Sequence, residues 1–228
     1  MKQKLIVFSG AGMSAESGIN TFRDSGGLWE NNRIEDVATP SAWATNPGRV
    51  QQFYNSRRKQ ILEAQPNNAH FSVKELEKHY DVQVITQNID DLHERAGSTN
   101  VLHLHGNITF SKSSGPNQET VYYPIEGWEL KMSDKCPEGY TLRPHVVWFG
   151  EAVPMYDEAI ALMQKANILI VIGSSLQVYP AAGLVHFVPK DCKKILIDPN
   201  GDSLNISNEF DLIKKGASEG LQTFLERL

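Results

Sequence analysis

Three glycines, Gly10, Gly12 and Gly18, lie in the stretch LIVFSGAGMSAESGINTFRDSGGLW, residues 5–29, with types and spacing suited to holding a phosphate. The apolar run Leu5 to Phe8 has the branched composition of a buried strand, and Ser9-Gly10-Ala11-Gly12 breaks it. Met13 to Ser17 can then begin a helix, with Ser9 or Ser14 available near its N-terminus. Glycines let the backbone approach an anion closely, and the free N–H groups and dipole of a helix start meet its charge. The spacing G-x-G-x-x-x-x-x-G departs from the dinucleotide fingerprint G-x-G-x-x-G, and by itself it fits a tight structural turn equally well. The segment GINTFRDSGGLW that follows makes the pattern much more specific. Three more polar clusters end apolar runs: Gln87-Asn88-Ile89-Asp90, Gly173-Ser174-Ser175 and Asp198-Pro199-Asn200. Ligands of open α/β sheets bind at the carboxyl ends of the strands, so four such clusters together describe a nucleotide crevice.

The elements that must present these clusters are legible as alternating strands and helices. Strands are expected at Asp81–Thr86, Val101–Leu104, Val146–Phe149, Asn167–Ile172, Lys194–Ile197 and Phe210–Lys214. Ser41 to Ala64 reads as two helices broken at Asn46-Pro47, with Trp43, Val50, Phe53, Ile61 and Leu62 as apolar positions. Ala69–His79 is a further helix, with Phe71, Val73, Leu76 and Tyr80 as its apolar positions. Asp91–Arg95 is a short helix stopped by Gly97; Asp90 or Asp91 can cap it, and Asp91 is the expected cap. Tyr156–Ala166, Gly183–Val188 and Ser218–Leu228 complete the helices. Strands alternating with helices imply a doubly wound parallel sheet. Residues 107 to 142 break this rhythm and read as an inserted small domain, after which the β/α pattern is expected to resume at Val146.

Bulk numbers agree with an ordinary globular protein. A chain of 228 residues with 40% apolar and 21% charged residues can bury a full core. A net charge of -5 gives no strong cationic field, so no nucleic-acid partner is expected. No apolar run reaches bilayer length, and no membrane partner is expected. The N-terminal lysines precede a run of only four apolar residues, which reads as the first strand and not as a signal peptide. Two cysteines, Cys136 and Cys192, suggest no disulfide scaffold, and the cytoplasm is the expected location.

GAGMSAESGINTFR, TQNIDDLHERAG, LHGN, VVWFGE and GSSLQVYPAAGL, in this order from about Leu5 to Ala217, resemble the sirtuins, NAD-dependent protein lysine deacylases. The resemblance implies one catalytic domain over residues 1–228. Its Rossmann-like core would be 1–29, 80–106 and 143–228, with smaller segments at about 30–79 and 107–142. It implies NAD as a consumed co-substrate and acylated lysine in proteins or peptides as the partner. In sirtuins the acyl oxygen attacks the nicotinamide ribose, and a histidine then takes a proton from a ribose hydroxyl. That histidine would be His105, a residue type that titrates near neutral pH, while His70, His79, His93 and His103 suit structural roles better. Asn88 and Asp90 would join it in catalysis. NAD would be held by Gly10, Ala11, Gly12, Glu16, Phe22, Arg23, Trp29, Gln87, Asn88, Ile89, Asp90, His105, Gly173, Ser174 and Ser175, with Asn200 and Ala217 at the adenosine end. An amide both donates to and accepts from a carboxamide, which suits nicotinamide. Phe22 and Arg23, flanked by Gly26-Gly27, would form a lid that is shifted or unordered without NAD. The substrate strand would lie between Val147-Trp148-Phe149-Gly150-Glu151 and Leu176-Gln177-Val178, with Val146 in the core and Phe149 at the lysine tunnel.

Two departures bear on the subclass. Many sirtuins carry two C-x-x-C pairs binding zinc, but Ser111 and Ser114 stand where the first might fall and Cys136 is the only cysteine in the region. A structural zinc site takes four ligands, so no zinc is expected, and Val121, Tyr122, Tyr123, Ile125 and Trp128 are expected to hold the insertion together. Tyr54 and Arg57 form Y-x-x-R on one helix face, the pair found in the acyl pocket of the desuccinylase and demalonylase class. A guanidinium grips an acyl carboxylate bidentately, while a solvated helix face beside Arg58 and Lys59 is the plainer alternative. Protein ADP-ribosyl transfer and a non-catalytic NAD-binding module are the alternative functions. Adenine label retained on protein marks the first, and nicotinamide release indifferent to His105→Ala marks the second.

Overall fold

The computed structural model describes residues 2–21, 33–204 and 209–228. The expected lid, with Phe22, Arg23, Asp24, Gly26, Gly27 and Trp29, lies outside the described residues.

Strands β1 (Lys4–Ser9), β2 (Asp81–Thr86), β3 (Val101–His103), β7 (Ile168–Ile172), β8 (Lys193–Ile197) and β9 (Phe210–Ile213) form one parallel sheet in the order β3-β2-β1-β7-β8-β9. The chain starts in the middle, runs outward to β3, then returns to build on β1's other edge. The order therefore reverses between β1 and β7, which is where a crevice opens in such sheets.

The unbroken apolar runs LIVF and ILIVI follow from burial on both faces. Leu5, Val7, Val84, Ile170, Ile172 and Ile197 pack on one face beneath α5 (Asn68–Leu76) and α8 (Ala217–Leu225). Ile6, Phe8, Ile85, Leu169, Val171 and Leu196 pack on the other beneath α7 (Tyr156–Met163) and a 3₁₀ turn, Ala181–His186. Each such side chain contributes roughly 2 kcal/mol of burial, so the sheet centre is rigid support for the loops at its edge.

The remaining elements flank this sheet. α1 (Gly12–Ala15) follows β1, and α2 (Ile34–Val37), α3 (Pro40–Thr45) and α4 (Pro47–Glu63) precede α5. Asn46 caps α4 by accepting from the Arg49 N–H, and Pro47 opens that helix, so the Asn-Pro break falls where expected. Asn67 caps α5 reciprocally with His70, which ends the intervening loop. Leu62 and Phe71, expected as apolar packing positions, are exposed instead, Phe71 by 50%. Their helices bury polar residues on the inward face, including Gln51, Arg57, Arg58 and His70.

β4 (Gly106–Ser113), β5 (Tyr122–Pro124) and β6 (Leu142–Val146) make a separate antiparallel sheet in the order β5-β4-β6. The expected return of the β/α rhythm at Val146 is therefore corrected to Tyr156. Leu142–Val146 pairs with β4 in the small sheet, and Val147–Phe149 runs on beyond it as connecting chain. The apolar centre of the insertion also differs from expectation. Leu130, Cys136 and Leu142 form it, with Tyr123 and Ile125 packed against them, while Val121, Tyr122 and Trp128 are exposed.

Candidate active site

Gly10, Gly12 and Gly173 bring the ends of β1 and β7 together. The Gly10 N–H donates to the Ile172 carbonyl at 3.0 Å, and the Gly12 N–H to the Gly173 carbonyl at 2.9 Å. Gly173 has φ of +59°, and a Cβ there would lie 2.2 Å from the Met13 nitrogen. The glycines thus serve contact between the two loops. α1 has no side-chain cap, so Ser14 does not play the capping role open to it. Its buried hydroxyl instead accepts from Asn88 Nδ2 at 3.0 Å and donates to Asp90 Oδ2 at 2.9 Å.

Gln87 to Asp90 extends β2. The Gln87 side chain donates to Ser174 Oγ at 2.8 Å, which ties this cluster to the one after β7. Asn88 is fixed by its N–H on Thr86 Oγ1, itself bonded to Ser9 Oγ at 2.9 Å. Asp90, and not Asp91, accepts from the Leu92 N–H at the start of α6 (Leu92–Arg95), while Asp91 pairs with Arg95. Asp90 is deeply buried, and desolvation raises its carboxyl above the usual range despite the Ser14 and Leu92 bonds. Ile89 accepts from the Ile108 N–H and packs against the helical cluster.

His105 lies past the end of β3. Its Nδ1 is 3.0 Å from the Gln87 carbonyl. A carbonyl only accepts, so Nδ1 carries the hydrogen and the neutral ring keeps its lone pair at Nε2. Burial holds its pKa below the ordinary imidazole value, against the opposing pull of that bond. A ring neutral at physiological pH with its basic nitrogen unprotonated is suited to accept a proton. His103 is 3.0 Å from the Asn88 carbonyl through Nδ1 and 2.6 Å from Glu94 Oε1 through Nε2.

At the other end of the crevice, Glu16 Oε1 accepts from the Ser218 N–H at 3.1 Å, which brings Glu16 beside Ala217 at the start of α8. Asn200 is exposed, with its N–H on Asp198 Oδ1. Ser175 is exposed beside buried Ser174, whose Oγ also accepts from the Leu176 N–H. The sharp turn there leaves Leu176 with φ of +53°, and the Val178 carbonyl takes the Ala182 N–H.

The expected substrate segment is anchored from below. The Val147 N–H donates to the His105 carbonyl, the Phe149 N–H to the Ala38 carbonyl, and Phe149 is 46% exposed. Trp148 is buried against Trp43 and Tyr54. Glu151 takes a bidentate grip from Arg143, at 2.7 and 2.9 Å, and also accepts from the Trp148 N–H, so its carboxylate fixes the turn around Gly150. Arg143 lies flat on the Trp148 ring, its guanidinium carbon 3.4 Å from the centroid. The sequence pattern offers Ser14 only as a helix-start residue and does not single out Arg143; the role of each shows only when strands distant in sequence are neighbours.

Tyr54 and Arg57 do not lie on a solvated face. Both are buried, Arg57 being 6% exposed, and desolvation lowers its pKa to about 10 and raises that of Tyr54. Asp90 is the carboxylate whose charge opposes that fall at Arg57. Arg57 also donates to Gln60 Oε1 at 2.9 Å, and Gln60 donates to the Gly18 carbonyl, which links α4 to the turn after α1. Neighbouring Arg58 is buried too, on the Ile108 and Trp128 carbonyls.

The family model described as "Sir2 family" matches residues 10–180, which hold nearly all of these groups. The chain belongs to the Sir2 family. The sirtuin relative described as an NAD-dependent protein deacylase of Bacteroides thetaiotaomicron is 50% identical over 229 residues, covering 99% of this chain and 98% of its own length. A solved complex of a Sir2 homologue with ADP-ribose superposes with a TM-score of 0.89 at 38% identity, covering 99% of this chain and 92% of that one. A Sir2 homologue solved with NAD gives 0.87 at 39% identity, covering 99% and 89%. The sirtuin crevice of this chain has features an NAD molecule needs: two strand-end loops joined through glycines that carry no side chain, and a buried set of amide, hydroxyl and carboxylate groups. Among the described residues no group of three or more His, Cys, Asp or Glu side chains can hold a metal ion, and no helix is long and apolar enough to cross a membrane.

Proposed function

We propose that this sirtuin removes acidic acyl groups, succinyl or malonyl, as well as acetyl groups from protein lysines. NAD-dependent acyl removal from protein lysines is its activity as a family member, given its relatives over nearly their whole length. The acyl preference rests on one observation, the buried Tyr54–Arg57 pair. A guanidinium held in an aromatic setting beside a phenol has the donors and the charge that a carboxylate-bearing acyl chain requires, and desolvation strengthens that attraction.

NAD supplies the electrophilic ribose carbon and the nicotinamide leaving group. Gln87, Asn88 and Asp90 are assigned to the carboxamide and ribose, Gly10, Ala11, Gly12 and Gly173 to Ser175 to phosphate and ribose, and Glu16, Asn200 and Ala217 to the adenosine end. Phe22, Arg23 and Trp29 are assigned to the same co-substrate from sequence alone. His105 takes the ribose hydroxyl proton at Nε2. Val147 to Gly150 and Leu176 to Val178 flank the substrate chain, with Glu151 holding the first of these segments. Zinc plays no part in this reading: the Leu130–Cys136–Leu142 cluster and the Lys112–Glu119 ion pair hold the insertion. Acylated protein is the partner, and neither nucleic acid nor membrane is assigned; the cytoplasm remains the assigned location.

Arg57→Met tests the acyl assignment. It is expected to lower kcat/KM for a succinyl-lysine peptide by about tenfold or more, the worth of a charged hydrogen-bonding partner, while sparing an acetyl-lysine peptide. An unchanged ratio of the two sinks the acidic pocket. Nicotinamide release that needs the acylated peptide and disappears in His105→Ala checks the deacylase assignment separately.

A further inference from the structure

Gln87 and Asn88 run on past the end of the β2–β3 ladder. The last backbone bond between these strands is the Leu104 N–H on the Thr86 carbonyl, at 2.9 Å. Beyond it two imidazoles take over, His105 on the Gln87 carbonyl and His103 on the Asn88 carbonyl, each through Nδ1 at 3.0 Å. Both carbonyls only accept, so both Nδ1 atoms carry hydrogen. The rings differ at Nε2. That of His103 meets a second acceptor, the Glu94 carboxylate on α6, at 2.6 Å. A ring whose two nitrogens both face acceptors is doubly protonated.

We infer that His103 is a positioning residue for this reaction: an imidazolium, held by Glu94, that fixes the Asn88 carbonyl and so sets the Asn88 and Asp90 side chains for NAD. The inference rests on the assignment of Gln87 to Asp90 to the nicotinamide end. The groups facing the ring support the charge. Burial opposes it, but Glu94, the Asn88 carbonyl and Asp90 outweigh burial and hold the ring above its ordinary range. His93 and His145 are its histidine neighbours, both pushed well below the usual imidazole range, so neither adds a competing cation at neutral pH. Asn107 Nδ2, itself a donor, approaches from β4 and carries no charge; at 3.5 Å from Nε2 it stands outside the 2.6 Å contact that Nε2 makes with Glu94. The motif LHLHGN therefore holds two histidines with opposite tasks, one charged and positioning, one neutral and basic.

Long-range ¹H–¹⁵N spectra of the ¹⁵N-histidine protein at pH 7.5 test the charge. His103 is expected with both nitrogens protonated and His105 as the Nδ1–H tautomer, and Glu94→Gln is expected to move the His103 titration to lower pH. Kinetics test the positioning. His103→Phe removes the donor to Asn88 and is expected to raise KM for NAD about tenfold, the worth of a charged hydrogen bond, with KM for the acyl peptide changed less than twofold. His103→Asn, which keeps an N–H near Nδ1, is expected to stay within about threefold of wild type. A neutral His103 ring, an unshifted KM for NAD in His103→Phe, or equal losses in Phe and Asn variants overturns the inference. If His103→Phe does not fold, the spectra of wild type and Glu94→Gln decide. Loss of activity in His105→Ala with a normal His103→Phe discards this inference alone, whereas release that survives His105→Ala discards the assignment beneath it.

Discussion

What a residue does at this site depends on the partner of each of its atoms more than on its type. His105 is suited to the proposed role of base because the Gln87 carbonyl occupies Nδ1 and burial keeps the ring neutral. The sign of the pH dependence follows. A base with a lowered pKa stays competent to lower pH, so the acid limb of kcat/KM is expected below the ordinary imidazole value of about 6.5. Rates with acyl peptide and subsaturating NAD, measured from pH 5 to 8, check this. A midpoint above 7 contradicts the neutral buried ring. Asp90 makes the same point for carboxylates. As a bare letter in QNID it reads as a helix cap or a ligand, and it is both placed by Ser14 and capping at Leu92. Glu151 shows the converse: it stands inside the segment proposed for substrate, yet its oxygens serve Arg143 and the Trp148 N–H.

At the scale of elements, the strands could be read because both faces of the sheet are buried, which writes runs such as ILIVI into the chain. The clusters at their ends could be read for the same reason, since a parallel sheet has one loop edge for ligands. The small sheet was less legible. Leu142–Val146 alternates with Arg143, whose burial depends on Glu151, and no period-2 apolar pattern marks it. Leu62 and Phe71 misled because the helices turn polar residues, not these, inward. The bonds that Ser14 makes were hidden too, since its partners lie 74 and 76 residues away. The β1–β7 junction carries a prediction of its own. Gly173→Ala puts a Cβ against backbone and forces an L-residue to a positive φ, which costs about 1–3 kcal/mol. Chemical denaturation is expected to show that loss, and NAD affinity is expected to fall at least tenfold because the loops after β1 and β7 part. Unchanged affinity with reduced stability would separate the glycine contact from the phosphate cradle.

The whole molecule joins a hydrophobic parallel sheet to a smaller part held by fewer apolar side chains and more buried charge. In the insertion, Lys112 and Arg143 face one another across β4 and β6, neutralised by Glu119 and Glu151. Breaking such a pair leaves a buried charge uncompensated, so the assembly is sensitive to protonation where a hydrophobic core is not. Arg143 holds Glu151 below the usual carboxylate range, so the stability this pair contributes is complete above about pH 4.5 and is lost as pH falls through the lower folded value. His70 adds a second, earlier loss. It is fully buried with a pKa lowered to about 4, so its neutral form contributes fully above about pH 6.5, and folding loses up to roughly 3 kcal/mol as pH descends to 4. The melting temperature is therefore expected to rise from pH 8 toward 6.5 as His103, whose folded pKa is raised, gains its proton, to decline between 6.5 and 4, and to drop further below that. If charge and packing hold the insertion without zinc, a chelator leaves this whole curve in place. A lower melting temperature at pH 7.5 after chelation, restored by zinc, would show that a metal holds the molecule together instead.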